Sequence, residues 1–161
     1  MKTKDLETKR CVLKEITIDD AEQIVEWRSN PDIYRYFKNP IKIDVESHIK
    51  WFNDSYLHNK NRIDYILFLK SPKIKIGVFG INRLQNDLVE ISYLLDEQYQ
   101  GKGYASEAIN GLEKFCYEQW GTNVFVAEIH TENAKSISFI TKMGYKKTRT
   151  CGCFEFFEKR I

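Results

Sequence analysis

Asp96-Glu97-Gln98-Tyr99-Gln100-Gly101-Lys102-Gly103-Tyr104-Ala105 is the stretch on which the reading of this chain turns. A β-rich run ends just before it, at Leu95. Just beyond the glycines runs an amphipathic stripe of Ala105, Ala108, Ile109, Leu112, Phe115 and Cys116. The hydrophobic period passes from 2 to 3.6, which marks a strand turning into a helix. No Ser, Thr, Asp or Asn stands ready to cap that helix, although its first four backbone N–H groups need acceptors. Two glycines around Lys102 let the backbone approach a ligand closely, and the helix dipole favours an anion. The segment reads as a place for a phosphate or pyrophosphate. Gly-x-Gly alone is equally a bare strand-to-helix turn with Lys102 solvated. It is neither a P-loop, which needs Gly-Lys-Ser/Thr, nor the longer dinucleotide fingerprint.

Working outward, three β-rich runs precede the loop: Arg62–Leu69, Lys73–Leu84 and Leu88–Leu95, split by Ser71-Pro72 and by Gln85-Asn86-Asp87. Such short breaks predict an antiparallel meander. Upstream, residues Lys9–Ile16 read as a strand. Thr17 with Asp20 resembles a capping box for a helix carrying Ala21, Ile24, Val25 and Arg28, expected to run through Trp27 to Asn30 and stop before Pro31. Asp44 is a plausible N-cap for a second helix with Val45, Ile49, Phe52 and Tyr56 on one face and Trp51 beside it. Downstream, Val124–Ile129 is a strand, Asn133–Met143 a short helix ended by Gly144, and Tyr145–Lys159 a final pair of strands. The predicted order is β, α, α, β, β, β, α, β, α, β, β, a mixed-sheet α/β domain without repeat or linker.

Composition narrows the function classes. The chain has 161 residues, 42% of them hydrophobic, enough for one core without metal or disulfide staples. Its net charge of +2 argues against a nucleic-acid footprint. Cys11, Cys116, Cys151 and Cys153 show no framework spacing. Cys151 and Cys153, read as i and i+2 of one strand, share a face and lack the further ligands a zinc site needs. No metal is expected, and free thiols imply a reducing compartment. No run approaches a membrane span, so a cytoplasmic location is expected, with the lysine-rich segment Met1–Arg10 taken as no signal.

Gln100-Gly101-Lys102-Gly103-Tyr104-Ala105 resembles the Gln/Arg-x-x-Gly-x-Gly/Ala signature of the GNAT acetyltransferases. Asn133-Ala134-Lys135-Ser136, then Phe139, Lys142, Met143, Gly144 and Tyr145, is similar to that family's Asn-x-x-Ser…Lys-x-Gly-Phe helix. The two lie at the family's expected distance, the element order fits, and the resemblance covers nearly the whole chain. It implies a single GNAT domain over residues 8–161. That fold is a mostly antiparallel sheet of about seven strands, splayed at the acetyl-CoA site, with about four helices. By the same resemblance the acetyl-CoA pyrophosphate sits on the amides of Gln100, Gly101, Lys102, Gly103, Tyr104 and Ala105. The pantetheine arm pairs with the strand Ser92, Tyr93, Leu94 and Leu95, and Asn133, Ser136 and Phe139 lie beside it and the thioester. The branch resembled includes ribosomal-protein and nucleotide-amino-sugar N-acetyltransferases.

An amine of pKa near ~10 is neutral in about one molecule in a thousand at pH 7, and only that form attacks a thioester. A base for the amine and a proton source for the departing thiolate are both needed, and a backbone N–H near Leu94 can polarise the acetyl carbonyl. Alternation puts Glu90, Ser92 and Leu94 on one face of their strand and Val89, Ile91 and Tyr93 on the other. Glu90, a carboxylate inside a β-rich run, is the candidate base, and it matches a glutamate found there in the ribosomal-protein-like branch; the bland alternative is a half-solvated strand glutamate. The helix tyrosine that many GNATs use as acid is Ile140 here, so the resemblance leaves Ser136 as the substitute. His48 and His130 are rival candidates.

For the acceptor, Trp27-Arg28-Ser29-Asn30-Pro31-Asp32-Ile33, Glu46-Ser47-His48 and Trp51-Phe52 resemble a subgroup that acetylates amino sugars on nucleotides, making Trp27, Arg28, His48 and Trp51 candidate substrate contacts. An N-terminal amine of a ribosomal or other protein is the alternative. Tyr34–Pro40 is similar to polyamine acetyltransferases, although no acidic cluster awaits a polycation. A coenzyme A-binding sensor without catalysis is the alternative of another class, and a homodimer is permitted.

Overall fold

The computed structural model describes residues 3–161; Met1 and Lys2, the start of the lysine-rich stretch, lie outside the described residues. Along the chain come β1 (Leu6–Glu7), β2 (Cys11–Glu15), α1 (Ala21–Arg28), α2 (Pro31–Tyr34), α3 (Val45–Asp54), β3 (Arg62–Leu69) and β4 (Lys75–Arg83). β5 (Leu88–Leu95), α4 (Tyr104–Trp120), β6 (Val124–His130), α5 (Ala134–Lys142), β7 (Lys146–Cys151) and β8 (Phe154–Arg160) complete it. The strands form one open eight-stranded sheet ordered β1-β2-β3-β4-β5-β6-β8-β7. β3 through β5 are the expected antiparallel meander, and β2 adds to it antiparallel to β3.

The larger count than expected comes from β1 and α2, each too short to show a period. The first helix ends at Arg28, not Asn30. Asn30 instead caps α2, its side chain accepting from the Asp32 N–H at 3.0 Å, with Pro31 in the first turn. Pro is tolerated there because that N–H has no helical partner anyway. Cys151 and Cys153 do not share a strand: Gly152, with φ of 59°, turns the β7–β8 hairpin between them, and both thiols are free and exposed.

Alternating side chains serve two helical layers. Tyr65 and Leu67 join a cluster with Ala108, Ile109, Leu112 and Ile140, while Ile66 between them joins Ile24, Trp27 and Phe52. Helices α1 and α3 therefore cover one face of the sheet, and α4 and α5 the other. On β5 the two faces separate as the sequence predicts, Val89 and Ile91 in the first cluster and Leu94 against the second.

β5 and β6 are parallel and pair only as Leu88↔Val124, Val89↔Phe125 and Glu90↔Val126. Beyond that point β5 stays with β4 as far as Leu95, and β6 stays with β8 as far as His130. The two strands splay, and the facing edge of β5 from Ile91 onward has no strand partner.

Behind the splay, Glu113 of α4 is buried and accepts from the Tyr145 hydroxyl and the Lys159 ammonium, both at 2.8 Å. The pair ties α4 to β8. Lys159→Met strands this carboxylate and is expected to lower unfolding stability by about 3–5 kcal/mol, read from the urea midpoint; an unmoved midpoint contradicts the pairing.

Candidate active site

The turn between β5 and α4 is built from both ends. A short 3₁₀ turn over Glu97–Tyr99 starts at Asp96, whose side chain accepts from the Gln98 N–H at 3.0 Å. The Gln100 amide donates to the Leu95 carbonyl at 3.0 Å, closing the loop on its own strand. Gly101 and Gly103 then take φ of 76° and 84°, which L side chains rarely adopt. Gly103 occupies the N-cap of α4 and, as expected, no side chain caps that helix.

A brace on this turn comes from far upstream. The Arg10 guanidinium donates to Glu107 Oε1 at 2.9 Å and to the Lys102 carbonyl at 3.0 Å, and lies 4.3 Å from the Tyr104 ring centroid. Glu107, in the first turn of α4, also accepts from the Arg10 backbone N–H at 2.8 Å and from the Thr8 hydroxyl. Burial pushes the Glu107 carboxyl up, but these hydrogen bonds and the Arg10 charge outweigh it and hold it below the usual carboxylate value. Nothing in the local sequence marks Arg10, which is 92 residues from Lys102.

A cavity of about 1070 Å³ runs from this loop along the splay to α2 and α3. Ser92, Tyr93, Leu94 and Leu95 line it from β5, and Gln100, Gly101, Gly103, Tyr104 and Ala105 from the turn. Asn133, Ser136 and Phe139 line it from α5, and Glu90, Arg28, His48 and Trp51 at the other end. Two candidates fall outside. Lys102 is exposed, its ammonium 5.8 Å from the Tyr99 ring centroid. Trp27 is corrected to a core residue: only 7% exposed, it packs with Ile24 and Phe52 and donates its indole N–H to Asp96 at 3.2 Å. Its apolar body has a place in the helical stripe of α1, which decides the matter. Asn133 caps α5, its side chain accepting from the Ser136 N–H at 3.2 Å. His130 also lines the cavity, with Nδ1 accepting from the Glu132 N–H at 3.1 Å.

The far end of the cavity sorts its charges. Arg62 holds buried Asp64 in a two-pronged ion pair at 3.0 and 2.9 Å, and Lys38 holds Glu128 at 2.8 Å. Gly80 makes this floor possible, because a Cβ there would come within 2.6 Å of both Asp64 Oδ1 and Ser92 Oγ. Two half-buried charges of this end stay without an ion pair among the described residues, whereas Asp32 and Arg35, also unpaired, are exposed. Glu90 is half-buried, and burial, then Glu128, raises its carboxyl above the usual value, against Lys38 and Arg62. Arg28 lies with its guanidinium 4.9 Å from the Phe37 ring centroid, its pKa lowered by burial and by Arg62. His48 is 4% exposed, and its Nε2 has no hydrogen-bond partner among the described residues. Burial and then Arg28 lower its pKa, so its ring is neutral at pH 7.

Toward the loop, the Tyr93 hydroxyl lies 2.5 Å from Ser136 Oγ, and the Tyr93 ring meets Phe139 edge-on at 5.2 Å. Burial pushes the Tyr93 phenol up to about 12, against the Ser136 hydrogen bond. Ile140 is fully buried in the core. One cavity thus joins an amide-lined turn, an unpaired strand edge, a hydroxyl pair, a raised carboxyl and an unpaired guanidinium.

Residues 10–146 match the family profile described as acetyltransferase (GNAT) domain. The chain is 30% identical over 149 residues to the uncharacterized protein MJ1062 of Methanocaldococcus jannaschii, covering 89% of this chain but only 29% of that protein's length. To the uncharacterized N-acetyltransferase p20 of Bacillus licheniformis it is 29% identical over 148 residues, 88% of this chain and 82% of that one. A crystal structure of a domain from M. jannaschii superposes with a TM-score of 0.83 at 26% identity, over 96% of this chain and 100% of the other. More distant likenesses bear different descriptions. The Escherichia coli ribosomal-protein-serine acetyltransferase is 29% identical over 91 residues, 55% of this chain and 50% of that one. FdhC, described as a nucleotide-linked sugar GNAT, has a TM-score of 0.82 at 20% identity over 98% of this chain and 90% of its own. A Vibrio cholerae spermidine N-acetyltransferase in complex with coenzyme A and spermine has 0.80 at 16%, over 94% and 95%. With a profile match across most of its length and a sheet that splays along the strand leading into the glycine turn, this chain belongs to the GNAT family of acetyl-CoA-dependent N-acetyltransferases.

Proposed function

We propose that the chain transfers the acetyl group directly from acetyl-CoA to the amine of an amino sugar carried on a nucleotide, both substrates being bound together. The cofactor's pyrophosphate rests on the amides from Gln100 to Ala105, where α4 offers uncapped N–H groups and the positive end of its dipole. Its amide-bearing arm pairs with the free edge of β5 over Ser92–Leu95, and an N–H near Leu94 polarises the acetyl carbonyl as charge develops there. Asn133, Ser136 and Phe139 flank the thioester. Glu90 takes the proton from the attacking amine, its raised carboxyl lying closer to neutrality than an ordinary glutamate.

The observation that carries the acceptor is Arg28. A half-buried guanidinium without an ion pair of its own is costly; the nearby Asp64 is already held by Arg62, and Arg28 shares its cavity with the candidate base. An acceptor with an amine at one end and a phosphate further along answers both groups, and neutral His48 offers a further polar contact. A polyamine brings more cations toward Arg28 and Arg62, and a peptide N-terminus brings no anion. FdhC's description and the likeness of the segments around Trp27–Ile33 and His48 to the nucleotide-amino-sugar subgroup support the same acceptor. The E. coli and V. cholerae likenesses keep a protein N-terminus and a polyamine as the alternatives to be tested.

Thiol release from acetyl-CoA is expected with amino-sugar nucleotides, ahead of N-terminal peptides and polyamines. Arg28→Met is expected to raise the acceptor KM about tenfold or more, the loss of one charged hydrogen bond, with the acetyl-CoA KM unchanged. Turnover confined to peptides or polyamines overturns this acceptor, and binding of acetyl-CoA without turnover on any amine points to a sensor. The base works ionised, so the rate falls as pH drops through the Glu90 pKa, and this acid limb lies above that of an ordinary carboxylate. Glu90→Gln is expected to remove the limb and lower kcat on the order of 10²-fold; an unaltered pH–rate profile rejects Glu90. Arg10→Ala loosens the turn and is expected to raise the coenzyme A Kd about tenfold, or 1.4 kcal/mol, by titration calorimetry; an unchanged Kd means the brace is dispensable.

A further inference from the structure

From the geometry we infer that Tyr93 and Ser136 form a two-hydroxyl relay that protonates the departing thiolate of coenzyme A, with Ser136 facing the sulfur and Tyr93 supplying the proton behind it. The inference rests on the acetyl-transfer reading above. Both side chains line the cavity, and their oxygens are 2.5 Å apart. They converge from facing sides of the cavity: Tyr93 on β5, Ser136 in the first turn of α5, the helix that follows β6. The resembled family's pantetheine arm runs between those sides. The Tyr93 hydroxyl also lies 3.5 Å from the Ser136 carbonyl, a long contact beside the 2.5 Å one, and no other described side chain hydrogen-bonds to either hydroxyl. With Tyr93 donating to Ser136 Oγ, the Ser136 proton is the one left to offer. Phe79 and Phe139 flank the Tyr93 ring, with centroids 6.4 and 5.2 Å away, and fix its direction.

The step balances as follows. The neutral amine nitrogen bonds to the acetyl carbon, and the carbonyl π pair moves onto oxygen. As that oxygen re-forms its double bond, the carbon–sulfur bond breaks and its electron pair stays on sulfur. The Ser136 proton passes to sulfur while the Tyr93 proton passes to Ser136 Oγ. The amine's surplus proton goes to Glu90, and exchange with water returns Glu90 to its ionised form and Tyr93 to its neutral form. Burial keeps the phenol protonated between turnovers and weakens it as an acid, and the same burial raises the basicity of a thiolate formed beside it, which offsets that loss. Tyr93 acts through Ser136 and is a positioning residue in this scheme; Ser136 is the catalytic one.

Tyr93→Phe removes the hydroxyl and keeps the ring. Thiol release from acetyl-CoA would be followed with an amino-sugar nucleotide as acceptor and, separately, with water as acceptor, since slow hydrolysis expels the same thiolate. Tyr93→Phe and Ser136→Ala are each expected to lower kcat on the order of 10- to 100-fold, with acetyl-CoA KM within about twofold. The double variant is expected to fall no further than the worse single one, because both break one relay. Additive losses, a KM-only effect, or Tyr93→Phe within about twofold of the parent kcat overturns the relay. Loss in the water reaction alongside failure on every amino-sugar nucleotide discards the acceptor and keeps the relay. If Tyr93→Phe does not fold, a crystal structure of the parent chain with coenzyme A decides: sulfur within about 3.5 Å of Ser136 Oγ supports the relay, and a sulfur beyond about 5 Å overturns it.

Discussion

β5 and β6 share hydrogen bonds over three residues and then part, and the backbone exposed by that parting is the constraint around which the rest of the molecule is arranged. Buried backbone groups need partners, and a free strand edge inside a cavity is answered by water or by an extended ligand with amides of its own. Each strand keeps its other neighbour, β4 on one side and β8 on the other, so the opening is bordered by paired strands. The same parting forces the connection from β5 to α4 to leave the sheet at the mouth of the opening. There the glycines at positive φ let the chain turn without a capping side chain, and the α4 N-terminus is left facing the cavity. The uncapped α4 N-terminus and the free strand edge are therefore consequences of one topological choice, the parallel step in an otherwise antiparallel sheet.

That arrangement places the chemistry at a boundary between two electrostatic regimes. Near the loop the groups are neutral: backbone amides, Tyr93, Ser136, Phe139. At the far end charges crowd, and the fold ties most of them in pairs, Arg62 with Asp64 and Lys38 with Glu128. The pairs hold the surroundings of the unpaired ones. Glu90, Arg28 and His48 all shift toward their neutral forms, with burial the first cause in each case. Burial disfavours charge whatever its sign, so an acceptor that brings an anion to Arg28 and an amine to Glu90 relieves both at once. The cost of burying these groups without ion pairs is the physical reason to read them as substrate contacts rather than as scaffold.

Much of this was legible in the sequence because it is local. The meander, the loop and the stripe of α4 each announce themselves within a dozen residues, and Asp44 and Asn133 cap the helices expected of them. What was not legible is short or convergent. α2 is four residues, too few for a period, and Pro31 reads as a stop whether or not a new helix begins on it. Cys151-Gly152-Cys153 alternates like a strand, yet the positive φ at Gly152 makes it a turn. Arg10 braces the glycine turn across 92 residues, a contact that follows only from β2 turning Cys11 and Leu13 into the core shared with α4. Trp27 and Arg28 are neighbours, and one falls into the core while the other reaches the cavity; helical phase separates them, but the phase was readable only once the cavity was located.

The proton donor is the sharpest case of convergence. Ser136 and Ile140 are i and i+4 on α5, so they share a helix face. Placing isoleucine at the second position commits that part of the face to the core, where Ile140 is fully buried. Of the helix's two serines, Ser136 and Ser138, only Ser136 lines the cavity, and the helix carries no tyrosine. The strand opposite carries one, and on β5 the alternation that turns Glu90 toward the acceptor end turns Tyr93 toward α5. A hydroxyl delivered from the facing wall reaches the same helix one turn earlier than a helix tyrosine at 140 would stand. What the reaction demands is an acidic hydrogen in the opening between β5 and β6, and either wall can furnish it. The requirement is a position in space, and only the fold says that residues 93 and 136 meet there.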